Sequence, residues 1–137
     1  AKKLQFQSIT NFLKAMAKRQ IKFRAFYKGE VIYNIDLAVT KGEHFFMADN
    51  TILLDVPLMQ YIGLKDKNSV QIWEGDIVKT GSDKLMVIGW SERHASFVID
   101  RDGWAFRHYF GEAFEGHECE VVGNIYQNAD LLKSDGK

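Results

Sequence analysis

At 137 residues the chain is long enough to bury a core of its own and short enough to be a single domain, with 46% apolar and 26% charged residues. One cysteine and one proline exclude a disulfide framework and a proline-rich linker, and no apolar run approaches the roughly 18 residues that would span a bilayer. The net charge is zero, 18 basic against 18 acidic residues, but the two signs are not evenly spread.

Lys2, Lys3, Lys14, Lys18, Arg19, Lys22, Arg24 and Lys28 all precede the first carboxylate, Glu30. The remainder holds 10 basic and 18 acidic residues, a net −8. A basic arm is therefore joined to an acidic body. Such an arm either lies across its own or a neighbouring subunit's acidic surface, or serves as a nucleic-acid arm, with Lys14, Lys18, Arg19, Lys22 and Arg24 as its contacts. Residues 1–20 are the least strand-like. Leu4, Ile9, Phe12, Leu13 and Met16 recur at helical spacing, which predicts a short basic amphipathic helix with Ser8 or Thr10 as candidate cap. Met16-Ala17-Lys18-Arg19 would itself make a normal protein start, which sets residues 1–15 apart as an extension. The start has no apolar h-region and no small-residue cleavage pattern, so it does not read as a secretory signal, and the lone Cys119 points to a reducing compartment.

From Ile21 the period drops to two. Ile21, Phe23, Ala25 and Tyr27 alternate with Lys22, Arg24 and Phe26, and Lys28-Gly29-Glu30 turns the chain into Val31-Ile32-Tyr33, with Asn34 to Leu37 continuing that strand. Lys41-Gly42-Glu43 and Asp49-Asn50 predict two more turns, flanking Phe45-Phe46-Met47 and leading to Ile52-Leu53-Leu54. Pro57 marks a strand start or an edge. Leu58 to Leu64 and Val70 to Trp73 read as strands around the polar loop Lys65 to Ser69. Val70 and Ile72 face one way, Gln71 and Trp73 the other. Gly75 supplies backbone freedom, and Asp76 is read as a turn staple that accepts from nearby N–H groups. Ile77 to Lys79, Leu85 to Trp90 and Ser96 to Ile99 form the next strands, with Gly89 as a bend or bulge and Asp102-Gly103 as a hairpin turn before Trp104-Ala105-Phe106. Glu112 to Gly116 reads as a loop or a single helical turn, Glu118 to Tyr126 as the last strand, and Asn128 as the cap of a short terminal helical turn. Many short strands with frequent turns predict a mainly β fold: a small SH3-like barrel elaborated by extra hairpins, with a helical extension over 1–20 and one domain over 21–137.

Three segments, in order and spacing, resemble the YopX family of bacteriophage and prophage proteins. They are Ile21-Lys22-Phe23-Arg24-Ala25-Phe26; Leu58 to Asn68 with Trp73-Glu74-Gly75-Asp76-Ile77-Val78; and Glu120-Val121-Val122-Gly123-Asn124-Ile125-Tyr126-Gln127-Asn128. Ser69 stands where such proteins usually place Gly, and Ala129 where they usually place Pro. The resemblance implies a phage-encoded, mainly β protein of the bacterial host cytoplasm, and it brings no catalytic residues.

The sequence shows no P-loop, no G-x-G-x-x-G, no G-x-S-x-G and no H-E-x-x-H. His108, His117 and Cys119, with Glu112 or Glu115, could ligate a transition metal, but His117-x-Cys119 lacks a second ligand pair at a recognised spacing, so a buried Cys and a partly exposed His are the simpler reading. No catalytic, cofactor or metal residue is assigned, and no membrane partner is expected. Trp104, Phe106, Tyr109 and Phe110, interleaved with Arg107, are the candidate partner-contact residues; the simpler alternative is that they fill the core. Binding to a protein partner or to itself is the function expected, with nucleic-acid binding through the arm and the barrel as the alternative.

Overall fold

The computed structural model describes residues 2–81, 83–100, 108–109 and 119–135. Helix α1 (Lys2–Lys18) precedes eleven strands: β1 (Phe23–Tyr27), β2 (Glu30–Ile32), β3 (Asp36–Thr40), β4 (Glu43–Ala48), β5 (Thr51–Leu53), β6 (Leu58–Lys65), β7 (Gln71–Trp73), β8 (Asp76–Lys79), β9 (Leu85–Ser91), β10 (Ser96–Asp100) and β11 (His108–Tyr109). Strand β12 (Glu120–Asn124) and helix α2 (Asp130–Asp135) follow. The strands form three antiparallel sheets, ordered β2-β1-β6-β7, β11-β10-β9-β8-β12 and β3-β4-β5. The architecture is mainly β with a curled, half-barrel sheet and two helices. Sequence patterning had led to this expectation, and α1 lies within the helical extension expected over residues 1–20.

Three of the expected turns are two-residue hairpins with both central residues at positive φ: Lys28-Gly29 (51° and 82°), Lys41-Gly42 (51° and 79°) and Asp49-Asn50 (48° and 63°). Registers Tyr27↔Glu30, Thr40↔Glu43 and Ala48↔Thr51 close them directly, since such turns match the twist of the strands they join. Other details depart from expectation. Asn34 to Leu37 does not prolong β2: the chain breaks at Asn34, φ 61°, and β3 opens a separate sheet. Gly89 makes no bulge and sits in register with Val98, while the irregularities fall between Tyr61 and Lys65 and between Val121 and Gly123. Ile72 and Trp73, expected on opposite faces of β7, are both buried, so this strand is covered on both sides. The Asp102-Gly103 hairpin, the strand at Trp104 and the loop Glu112 to Gly116 lie outside the described residues.

The main core joins the five-stranded sheet, through Val78, Met86, Ile88 and Ile99, to Ile72 of β7 and Cys119, with Ile62 and Val121 packed against it. The Cys119 thiol is thus part of an apolar cluster. Past β12, the side chain of Asn128 turns back, its Oδ1 accepting from Asn124 N–H at 3.1 Å, while its carbonyl accepts from Leu131 N–H at 3.0 Å at the start of α2. That close return needs Gly123, since a Cβ there would lie 2.6 Å from Asn128 Oδ1 and 2.8 Å from its Cβ. Gly123→Ala is therefore expected to cost about 1–3 kcal/mol, as overpacking does. Gly89→Ala, where a Cβ meets nothing within 4 Å, should leave the urea midpoint close to that of the parent chain.

Candidate functional site

The most heavily charged point inside the molecule lies where β1, β7, β8 and β12 meet. Arg24 on β1 is 4% exposed, and its Nη2 donates to Asp76 Oδ1 at 2.6 Å. Asp76 opens β8, and its Oδ2 accepts from Trp73 N–H at 2.8 Å, which is the expected staple of the Glu74-Gly75 turn. The guanidinium is only partly satisfied otherwise. Nη1 reaches Tyr33 Oη at 3.4 Å, Nη2 the Glu74 carbonyl at 3.5 Å, and Nε has no partner among the described residues. Its face compensates in part: the guanidinium carbon lies 5.3 Å from the Trp73 ring centre and 6.0 Å from that of Tyr33. Lys22 extends the stack, its Nζ 4.8 Å from the centre of the Tyr61 ring.

Beside this pair opens a cavity of about 340 Å³, with walls from Val70, Gln71 and Trp73 on one side and Val121, Gly123 and Asn124 on the other. A second hollow of about 260 Å³ shares Tyr33, Gln71 and Trp73 with it and adds Lys22. The first is a slot between two sheet edges, β7 and β12, pinned at both ends. At one end Lys67 N–H donates to the Cys119 carbonyl (3.0 Å) and Val121 N–H to Asp66 Oδ2 (2.8 Å); at the other Ile125 N–H donates to the Gly75 carbonyl (2.9 Å). Asp66 also accepts from Asn68 and Val70 N–H, as its place in a polar turn suggested, but its reach to β12 crosses 55 residues.

Its electrostatics are those of a cancelled pair. Burial pushes the Asp76 carboxyl up, Arg24 and the Trp73 N–H pull it down, and Asp66 adds to the rise. Burial likewise raises Glu74, against the hydrogen bond its Oε1 accepts from Gln60 N–H at 2.9 Å. Among the described residues no group of three or more His, Cys, Asp or Glu converges. Of the metal candidates, Cys119 is in the core, His108 is on β11 opposite Ile99, and His117, Glu112 and Glu115 lie outside the described residues. Trp104, Phe106, Arg107 and Phe110 also lie outside them, and Tyr109 pairs with Val98.

The structure corrects the arm. Lys14, Lys18 and Arg19 are exposed and Lys22 half-buried, but Arg24 is not available to a phosphate, because it is buried and paired with Asp76. The Arg24–Asp76 pairing was missed by sequence reasoning. Its signal was an arginine and an aspartate each set in an otherwise apolar strand, where opposite charges require each other.

A second feature lies on the surface. Ile9, Phe12 and Leu13 share one stripe of α1 and are 53%, 63% and 59% exposed. On the three-stranded sheet Leu37, Val39 and Ile52 are also exposed. No helix among the described residues is long and apolar enough to cross a membrane.

Fold and joint together define a small, mainly β protein whose half-barrel is locked by a buried ion pair. The chain belongs to the YopX family, whose model, described as YopX protein, matches residues 4–133. The crystal structure of protein EF1440 from Enterococcus faecalis is similar over 82% of this chain and 98% of that one, with 23% sequence identity and a TM-score of 0.53, a likeness of fold. No curated protein matches the chain. The segments that resemble the family converge on this joint: Arg24 from the first, Trp73 and Asp76 from the second, Gly123 and Asn124 from the third.

Removing one partner leaves a buried charge alone, so Arg24→Met and Asp76→Leu should each cost about 3–5 kcal/mol by urea denaturation, and the double variant less than either. Glu74→Gln tests the raised carboxyl. A proton held more tightly when folded stabilises at acid pH, and that contribution is lost as pH rises above the ordinary carboxylate range. The stability of Glu74→Gln relative to the parent should therefore rise from about pH 4 to about pH 7.

Proposed function

We propose that this is a phage-type accessory protein without enzymatic activity, which acts by binding protein, in the first place a second copy of itself. The observation that carries this reading is the exposed apolar stripe of α1. A 17-residue helix with no acidic residue is marginal in water by itself, and helices in proteins owe most of their stability to a buried apolar face. Here that face is open. The joint at Arg24 supports the same reading, because its charges are spent on each other and its slot is tied at both ends.

A second reading is favoured by the exposed Lys14, Lys18 and Arg19, which suit phosphates, while the acidic body opposes it. Light scattering after size exclusion decides the first reading: we expect a mass that is a multiple of 15.8 kDa and falls on dilution or in Phe12→Glu. A monomer at every concentration would overturn it. Single-stranded DNA or RNA retained at low salt and released steeply as salt rises would favour the second.

A further inference from the structure

We propose that the receptor for α1 is the outer face of the β3-β4-β5 sheet on another copy of the chain, an inference that rests on self-association through α1. Register sorts the side chains of this sheet into two faces, since cross-strand partners lie on the same side. Leu37, Phe46 and Leu53 form one row, whose β4 and β5 members face the body, Leu53 buried and the Phe46 ring 5.5 Å from that of Phe23, while β3 overhangs it and leaves Leu37 and Val39 on this face 55% and 59% exposed. The opposite face holds the rows Asp36–Met47–Ile52 and Ala38–Phe45, then Thr40–Glu43. It is an apolar platform of Ala38, Phe45, Met47 and Ile52, with Ile52 48% exposed, and two carboxylates, Asp36 and Glu43, at its margin.

The dimensions match. Three strands about 4.8 Å apart make a platform roughly 10 Å across between outer strands. Ile9 to Met16 on α1 cover about 10.5 Å of helix axis at 1.5 Å per residue. Charge matches as well. Lys2, Lys3, Lys14 and Lys18 stand on a helix without carboxylates, whereas residues 36–55 carry Asp36, Glu43, Asp49 and Asp55 against Lys41 alone. A basic helix end is thereby steered to an acidic sheet, and two copies of the sheet or two copies of the helix would repel. The chain does not cover its own stripe, since Ile9, Phe12 and Leu13 are each more than half exposed.

Helix-to-sheet docking between copies predicts complementation. Phe12→Glu spoils the helix and keeps the platform; Ile52→Glu spoils the platform and keeps the helix. Each variant alone should run as a monomer on size exclusion with light scattering, and an equimolar mixture should regain a species of two chains. Should Ile52→Glu lose its far-UV spectrum, Asp36→Lys with Glu43→Lys takes its place, expected to weaken association about tenfold or more. If Phe12→Glu is monomeric while the platform variants still assemble, or if the mixture stays monomeric, this inference is overturned and self-association through α1 stands. A wild-type chain that is itself monomeric overturns both. Binding of that monomer to anionic phosphatidylglycerol vesicles, or to single-stranded DNA, would then identify what covers the stripe.

Discussion

The Arg24–Asp76 pair is the constraint on which the joint between the two larger sheets depends. Between β7 and β8 the chain turns within Glu74-Gly75, so the four-stranded sheet hands over to the five-stranded one with almost no linker. Such a corner has many nearly equivalent packings as long as only apolar contacts fix it. A monodentate contact of 2.6 Å between two buried side chains is less forgiving, because any other angle between the sheets leaves a guanidinium and a carboxylate buried apart. The neighbouring bonds serve the same corner. Gly75 N–H donates to the Ile88 carbonyl and its own carbonyl accepts from Ile125, while Glu74 N–H donates to the Gln60 carbonyl. Gly75 can sit among them only because its φ of 82° costs a glycine nothing. Four strands thereby meet at two residues.

How far the sequence announces this can be read residue by residue. Turn chemistry is local, so Lys28-Gly29, Lys41-Gly42 and Asp49-Asn50 were legible, as were the polar loop at Asp66 and the basic helix. Even the departure at Ser69 has a physical reading: its φ of 65° lies where glycine is favoured, and Ser69 stands where the family usually places Gly. What was not legible depends on contacts far apart in sequence. Arg24 alternates with apolar neighbours as a solvent-facing residue would, and only the second cover over β1 turns it inward. Asn128 reads as a helix cap from its neighbours, and its return over Gly123 to the Asn124 N–H is a contact that the pattern does not announce. The strand break at Asn34 also escaped, since Ile35 and Leu37 prolong the apolar pattern that the backbone interrupts. As for the candidate site, the exposed part of the basic arm was visible, and the aromatic stretch at Trp104 lies outside the described residues.

The resemblance to the family gains a physical meaning from the joint. Its three segments are far apart in the chain and come together around one slot, and the groups they supply there neutralise, stack on or hydrogen-bond each other. A motif of that kind specifies how a corner is built. It places no demand on what α1 or the three-stranded sheet presents to a partner, and those two elements hold six of the fourteen large apolar side chains exposed among the described residues.

The charge asymmetry then becomes more than a compositional curiosity. The root of α1 is fixed, because the Lys22 carbonyl accepts from Tyr61 N–H at 3.0 Å and only residues 19–22 separate the helix from β1. A helix tethered so closely beside an acidic body experiences attraction to every acidic surface nearby, its own included, over about 8 Å at physiological ionic strength. Yet its apolar stripe is not laid on that body. The attraction is therefore not sufficient by itself, and the stripe requires a surface that is apolar as well as acidic. The outward face of the three-stranded sheet combines both properties, so long-range charge brings the surfaces together and apolar contact holds them.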